Sequence, residues 1–184
     1  MKGNTHVKRT LIVVATTVAT LLALGSGAAL GQSPSPDPLT SQLDAVRRAT
    51  VQYNWLPIAI EDGFAPFALD GGTMPTCFDS ASGGMGVHYV KGVDDKVDAL
   101  TPEAMVYEVT DSGDTRLGAV EYIVPKEVVE DAQGNPVNVP ELFGQKFHKH
   151  PTLPLYILHA WIWTSNPDGM FADFNPKVPA CMKM

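Results

Sequence analysis

Residues 153–163 read LPLYILHAWIW, and whether this run is a strand or a helix decides the fold. As a strand, at about 3.3 Å per residue, it is long enough to cross a small domain. Tyr156, Ile157, Trp161, Ile162 and Trp163 are residue types that pack well on a pleated, buried surface. An apolar run of this length fits a helix equally by period, but Pro151 and Pro154 precede most of it without a helix cap, so a strand is predicted. Alternation then places Ile157, His159, Trp161 and Trp163 on one face and Tyr156, Leu158, Ala160 and Ile162 on the other. His159 stands in an apolar wall, where an imidazole left without a partner costs about 1–3 kcal/mol. The following SNPDGMFADFNP, with two Asn-Pro steps and a Pro-Asp-Gly triplet, ends any regular element.

At the other end of the chain, residues 1–9 carry Lys2, Lys8 and Arg9 without an acid, residues 10–24 are almost wholly apolar or Thr, and Ala29 and Gly31 supply small residues. This is the pattern of a secretory signal peptide over 1–31, cleaved near Gly31. Its apolar core, about 15 residues, is short of the roughly 20 needed for a span, so no stable membrane anchor is expected after processing. The mature protein is expected to be secreted or extracytoplasmic. A Pro/Ser linker occupies 32–38, and 39–184 forms a single globular domain. The whole chain has a formal charge of −7. The leader holds three of the 13 basic residues and none of the 20 acids, so the mature chain is more acidic still, which argues against nucleic acid or an anionic membrane as partner.

Cys77 and Cys181 are the only two cysteines, and in an oxidising compartment an even pair is most simply a disulfide. A helix is predicted from Thr40 or Ser41 onward, with Leu43, Val46, Thr50 and Tyr53 recurring at helical spacing, and a shorter one over 57–62 ending at Gly63. The glycines at 71–72 and within SGGMG at 82–86 have no P-loop lysine and read as turns. Strands are predicted over 86–91, 103–110 and 116–124, the last two joined by DSGDT as a hairpin. The expected fold is α+β: a twisted, mainly antiparallel sheet of four or five strands with 153–163 central, covered on one side by the N-terminal helices. A small closed β-barrel is the alternative.

The segments MGVHYV (85–90), EAMVYE (103–108), GAVEYIVP (118–125), ELFGQKFH (141–148) and LYILHAWIW followed by NPDGMFADFNPKV resemble an uncharacterised family of exported bacterial proteins. The resemblance spans nearly the whole mature chain, including RRATVQY and EDGF. It implies one intact domain and carries no activity, cofactor or fold.

Chemistry therefore rests on residue types. His88, Glu121 and His159 each interrupt an apolar stretch, and His148 follows Phe147 just ahead of the long run. If the sheet brings them to one face, two or three imidazoles and a carboxylate form a ligand set suited to zinc, iron, manganese or copper. His159, His88 and Glu121 would equally serve as a general acid–base group, with His148 as a fourth member. The competing account treats His88 and His159 as satisfied core histidines, paired with Glu121, Tyr89 or a backbone carbonyl, and puts Glu108 on a wet face. No HExxH is present, and the HKH at 148–150 reads as well as a charged loop before Pro151. Trp161, Trp163 and Tyr156, with Phe171 and Phe174, would on a different reading line a cleft for an apolar or sugar-like small molecule. A purely structural envelope role is the third expectation, and nothing in the pattern selects an oligomeric state.

Overall fold

The computed structural model describes residues 37–110 and 112–181. The predicted signal peptide and most of the linker lie outside these residues. Helix α1, Pro38–Thr50, is capped by Asp37, three residues before Thr40, the earlier of the two caps expected from sequence. Asp37, at the end of the linker, caps it by accepting from the Leu39 and Thr40 amides, and Pro38 occupies the first turn where no amide is needed. Its buried stripe is Leu43, Val46 and Thr50. A 3₁₀ turn over Val51–Asn54 leads into the short α2, Leu56–Glu61, which Gly63 terminates with φ +95°.

The strands are β1 (Ala65–Pro66), β2 (Cys77–Ser80), β3 (Gly83–Val90), β4 (Ala104–Val109) and β5 (Thr115–Pro125), then, after the single helical turn α3 (Lys126–Val129), β6 (Glu141–Leu142), β7 (Gln145–Lys146), β8 (His148–Lys149) and β9 (Leu155–Ala160). Seven of them make one open, antiparallel sheet in the order β1-β3-β4-β5-β9-β8, with β2 pairing to the far half of β3. Strands β6 and β7 form a separate hairpin. The fold is thus α+β with an open sheet, and the barrel alternative is not what forms. The decisive run is a strand but not the central one. It pairs with β5 on one side and only with two-residue β8 on the other, so β4 and β5 take the middle. It is also shorter than predicted: beyond Ala160 the amides of Trp163 and Thr164 turn to the Gly118 carbonyl, and that of Trp161 to Met170.

The alternation of β3, β4, β5 and β9 sorts side chains onto two faces. Val87, Met105, Tyr107, Val120, Tyr122, Val124, Tyr156, Leu158 and Ala160 join Leu43 and Val46 of α1 in the main core. The opposite face carries two smaller clusters, Val106, Ala119 and Trp161 with Val178, and Ala104, Ile123 and Ile157 with Val90 and Leu155. That second face is covered by the C-terminal segment, which crosses back to β3 through Asn175 N–H to Gly84 O and Gly84 N–H to Val178 O. The Cys77–Cys181 disulfide, spanning 104 residues, ties its end to β2. Such a bond fits an oxidising, extracytoplasmic setting. Among the described residues no helix is long and apolar enough to cross a membrane.

Candidate functional site

Between the two small clusters on the second face runs a polar row. Glu121 on β5 is directly opposite His159 on β9, and on its other side it pairs with Ala104 of β4. His88 on β3 lies one strand further, opposite Val106. Because Ala104 has almost no side chain, the carboxylate of Glu121 and the His88 imidazole approach each other over β4. The three groups are each no more than 5% exposed. His88 Nε2 lies 3.3 Å from His159 Nε2 and 3.4 Å from Glu121 Oε2, and His159 Nε2 lies 3.5 Å from Glu121 Oε1. One ligand atom from each residue falls within 4.8 Å of the other two, an arrangement that can hold a metal ion.

Aromatic packing flanks the two rings. The edge of Phe78 meets His88 at 5.5 Å between centroids, and Trp161 flanks His159 at 5.7 Å. Neither Nδ1 has a hydrogen-bond partner among the described residues, so the polar contacts these rings make are with each other and with Glu121. Of the partners expected for core histidines, Glu121 is the one adopted, and not Tyr89 or a backbone carbonyl; Tyr89 packs toward the main core, edge-on to Tyr107.

Burial dictates the ionisation of the cluster. It pushes the Glu121 carboxyl up to about 8, with the nearby Asp173 charge adding to the effect. It holds His159 down to about 4 and His88 well below the ordinary imidazole value. Without a cation, the cluster at neutral pH is a protonated carboxylic acid between two neutral imidazoles.

A cavity of about 280 Å³ opens beside the cluster, its walls made largely of Phe67, Phe78, Met85, Ile123, Ile157 and Phe174, with His88 and Glu121 at the inner end. His150 and Asp173 also border it. His148 does not join the triad. It is half-exposed and its Nε2 bonds Asp173 Oδ2 at 3.1 Å, which raises its pKa. Asp173, delivered by the C-terminal segment, is the residue that sequence reading missed: it lies in an irregular stretch with no periodicity to mark it. Burial pushes its carboxyl up, but the His148 hydrogen bond and the surrounding histidines outweigh this and hold it below the ordinary value.

The predicted aromatic cleft does not assemble. Trp161 is buried in a small second-face cluster, with its Nε1–H donated to the Ala172 carbonyl. Trp163, past the end of β9, packs on the main core and donates to Thr50 Oγ1. Tyr156 also faces the main core, and its hydroxyl reaches Glu130. The strand alternation on which Trp163 was placed beside His159 stops at Ala160. Of the aromatic residues proposed for a cleft, Phe174 alone lines the cavity. Glu108, expected on a wet face, is buried and held by Arg116 at 2.6 Å and by the Thr164 hydroxyl.

The chain matches no family model, no curated protein and no solved structure.

Proposed function

We propose that this is an exported metalloprotein that binds one transition-metal ion through His88 Nε2, His159 Nε2 and the carboxylate of Glu121, and presents it to a small molecule in the adjoining cavity. The observation that carries the reading is the convergence of these ligand atoms from three different strands. A tetrahedral ion with bonds of about 2.0–2.1 Å spaces its ligands about 3.3–3.4 Å apart. The two imidazole nitrogens are 3.3 Å apart, and each lies 3.4–3.5 Å from a carboxylate oxygen. Three protein ligands leave a position open, which is the pattern of catalytic rather than structural zinc. Two neutral imidazoles and a carboxylate also suit iron or manganese. A divalent ion replaces the proton of Glu121 and relieves the cost of burying that carboxylate.

Export is part of the same reading. The basic, then apolar, then small-residue pattern of 1–31 and the disulfide both point to a compartment outside the cytoplasm.

Protein purified without chelator should contain about one equivalent of zinc, manganese, iron or copper by elemental analysis. A His88→Ala, His159→Ala double variant should contain none. Wild-type protein free of metal, with a melting temperature unmoved by Zn²⁺, Mn²⁺, Fe²⁺ and Cu²⁺, would refute the proposal.

A second reading uses the same residues without metal. Glu121, whose carboxyl burial raises to about 8 and which lines the cavity beside His88, is a competent general acid at neutral pH. It is favoured if any turnover found in the cavity survives complete removal of metal by chelation.

A further inference from the structure

His150 borders the cavity without belonging to the triad, and its ring is locked. Its Nδ1 accepts the backbone amides of Leu153 at 2.9 Å and Thr152 at 3.2 Å, both from the tight connection between β8 and β9. A nitrogen that accepts from two amides carries no proton, so the neutral ring has its N–H on Nε2. Among the described residues, none of the hydrogen bonds of His150 uses that N–H. The loop thus presents a fixed neutral donor beside the cavity.

Asp173 borders the same cavity and supplies the opposite need. Its Oδ2 is engaged by His148, whereas its Oδ1 is buried and has no partner among the described residues. A buried acceptor left unpaired is costly, and a negative charge at this point repels an anionic ligand. Apart from these two residues and the His88–Glu121 end, the wall is mostly apolar: Phe67 stacks on Phe78 at 6.2 Å, and Met85, Ile123 and Phe174 continue it. The volume is at the lower end of the range that takes small organic ligands.

From this geometry we infer that the cavity takes a small, neutral, mostly apolar molecule bearing one hydroxyl group, a phenol or branched alcohol, with the hydroxyl donating to Asp173 and accepting from His150 Nε2–H. A hydroxyl is both donor and acceptor, so one head group satisfies both residues. A carboxylate offers no proton to Asp173 and meets its charge. A hydrocarbon leaves both polar groups unpaired. The inference rests on the cavity described above as the place where the proposed centre meets its ligand, but the two can fail separately.

The test uses phenol, benzoate and toluene as probes, titrated by ligand-observed NMR into the chelator-treated protein, because the open position of a bound metal would itself take benzoate. Phenol should bind at least about tenfold more tightly than benzoate or toluene, a factor of ten being about 1.4 kcal/mol. Val93→Trp, at a cavity-lining position that is 38% exposed and so tolerates a larger side chain, should weaken phenol at least about tenfold without altering metal content. Asp173→Asn should shrink the preference for phenol over benzoate. The inference is overturned if benzoate or toluene binds as well as phenol, or if Val93→Trp leaves phenol binding unchanged. If the protein takes up no metal yet shows the phenol pattern, the metal proposal alone falls.

Discussion

Replacing Glu121 by Gln tests the ionisation of the cluster directly, because the amide keeps the shape and cannot titrate. In the metal-free protein the Glu121 carboxyl has a pKa of about 8, against an ordinary value of 4.5. The folded state therefore holds a proton that the unfolded chain releases above 4.5, and stability from this source is full below that value and is lost as pH rises through 8. His88 and His159 act with the opposite sign: their depressed values contribute stability above the ordinary 6.5 that is lost as pH falls. Above 6.5 the histidines of the cluster have stopped contributing to the slope, which leaves Glu121 as the cluster's only titrating member. The interval from 6.5 to 8 is about 1.5 pKa units, and at 1.36 kcal/mol per unit the metal-free wild type should lose about 2 kcal/mol more than Glu121→Gln between pH 6.5 and about pH 9. Glu103, raised to about 7 by burial, and His148 titrate in the same window but are common to both proteins. Urea denaturation in the presence of EDTA at the two pH values measures the difference. Parallel losses in the two proteins would show that Glu121 is already ionised in the folded state, and the electrostatic argument for the cluster would fail.

Reduction of Cys77–Cys181, or a double Ser substitution, releases a loop spanning 104 residues. The chain-entropy model puts the loss at up to about 4.7 kcal/mol, and denaturation with and without reductant would expose a smaller role if the midpoint did not move. Because the same bond anchors the segment carrying Asp173 and Phe174, reduction should also weaken phenol binding. Gly86→Ala probes the sheet that carries His88. Gly86 has φ +95°, and an added Cβ would lie 2.3 Å from the Tyr107 carbonyl oxygen. Strain and clash together should cost at least about 2 kcal/mol by calorimetry, and a variant as stable as wild type would mean that β3 and β4 do not approach so closely.

Much of the architecture follows from local pattern. The residues GAVEYIVP alternate Val120, Tyr122 and Val124 against Ala119, Glu121 and Ile123, and two-residue periodicity alone assigns Glu121 to the face opposite Val120, Tyr122 and Val124. The same rule sends His159 and Ile157 to one side of β9 and Leu158 to the other. The helix stripe of Leu43, Val46 and Thr50 and the pairing of the two cysteines were equally legible. Trp163 was misplaced because alternation holds only while the strand lasts, and the sequence does not mark that the backbone leaves the ladder after Ala160.

The order of the main local elements, the faces of Glu121 and His159 and the covalent clasp were thus determined by the sequence itself, since each depends on neighbours a few residues away or on the chemistry of a single residue pair. Register was not. Placing Glu121 opposite His159 and Ala104, and His88 opposite Val106, depends on how strands whose paired residues lie 17 to 38 positions apart slide past one another. Only the packed sheet settles that, because a slip by one residue would turn the whole polar row into the opposite core. Asp173 and His150 join the cavity for a similar reason: their loops have no period of their own and are held by the disulfide and by β8.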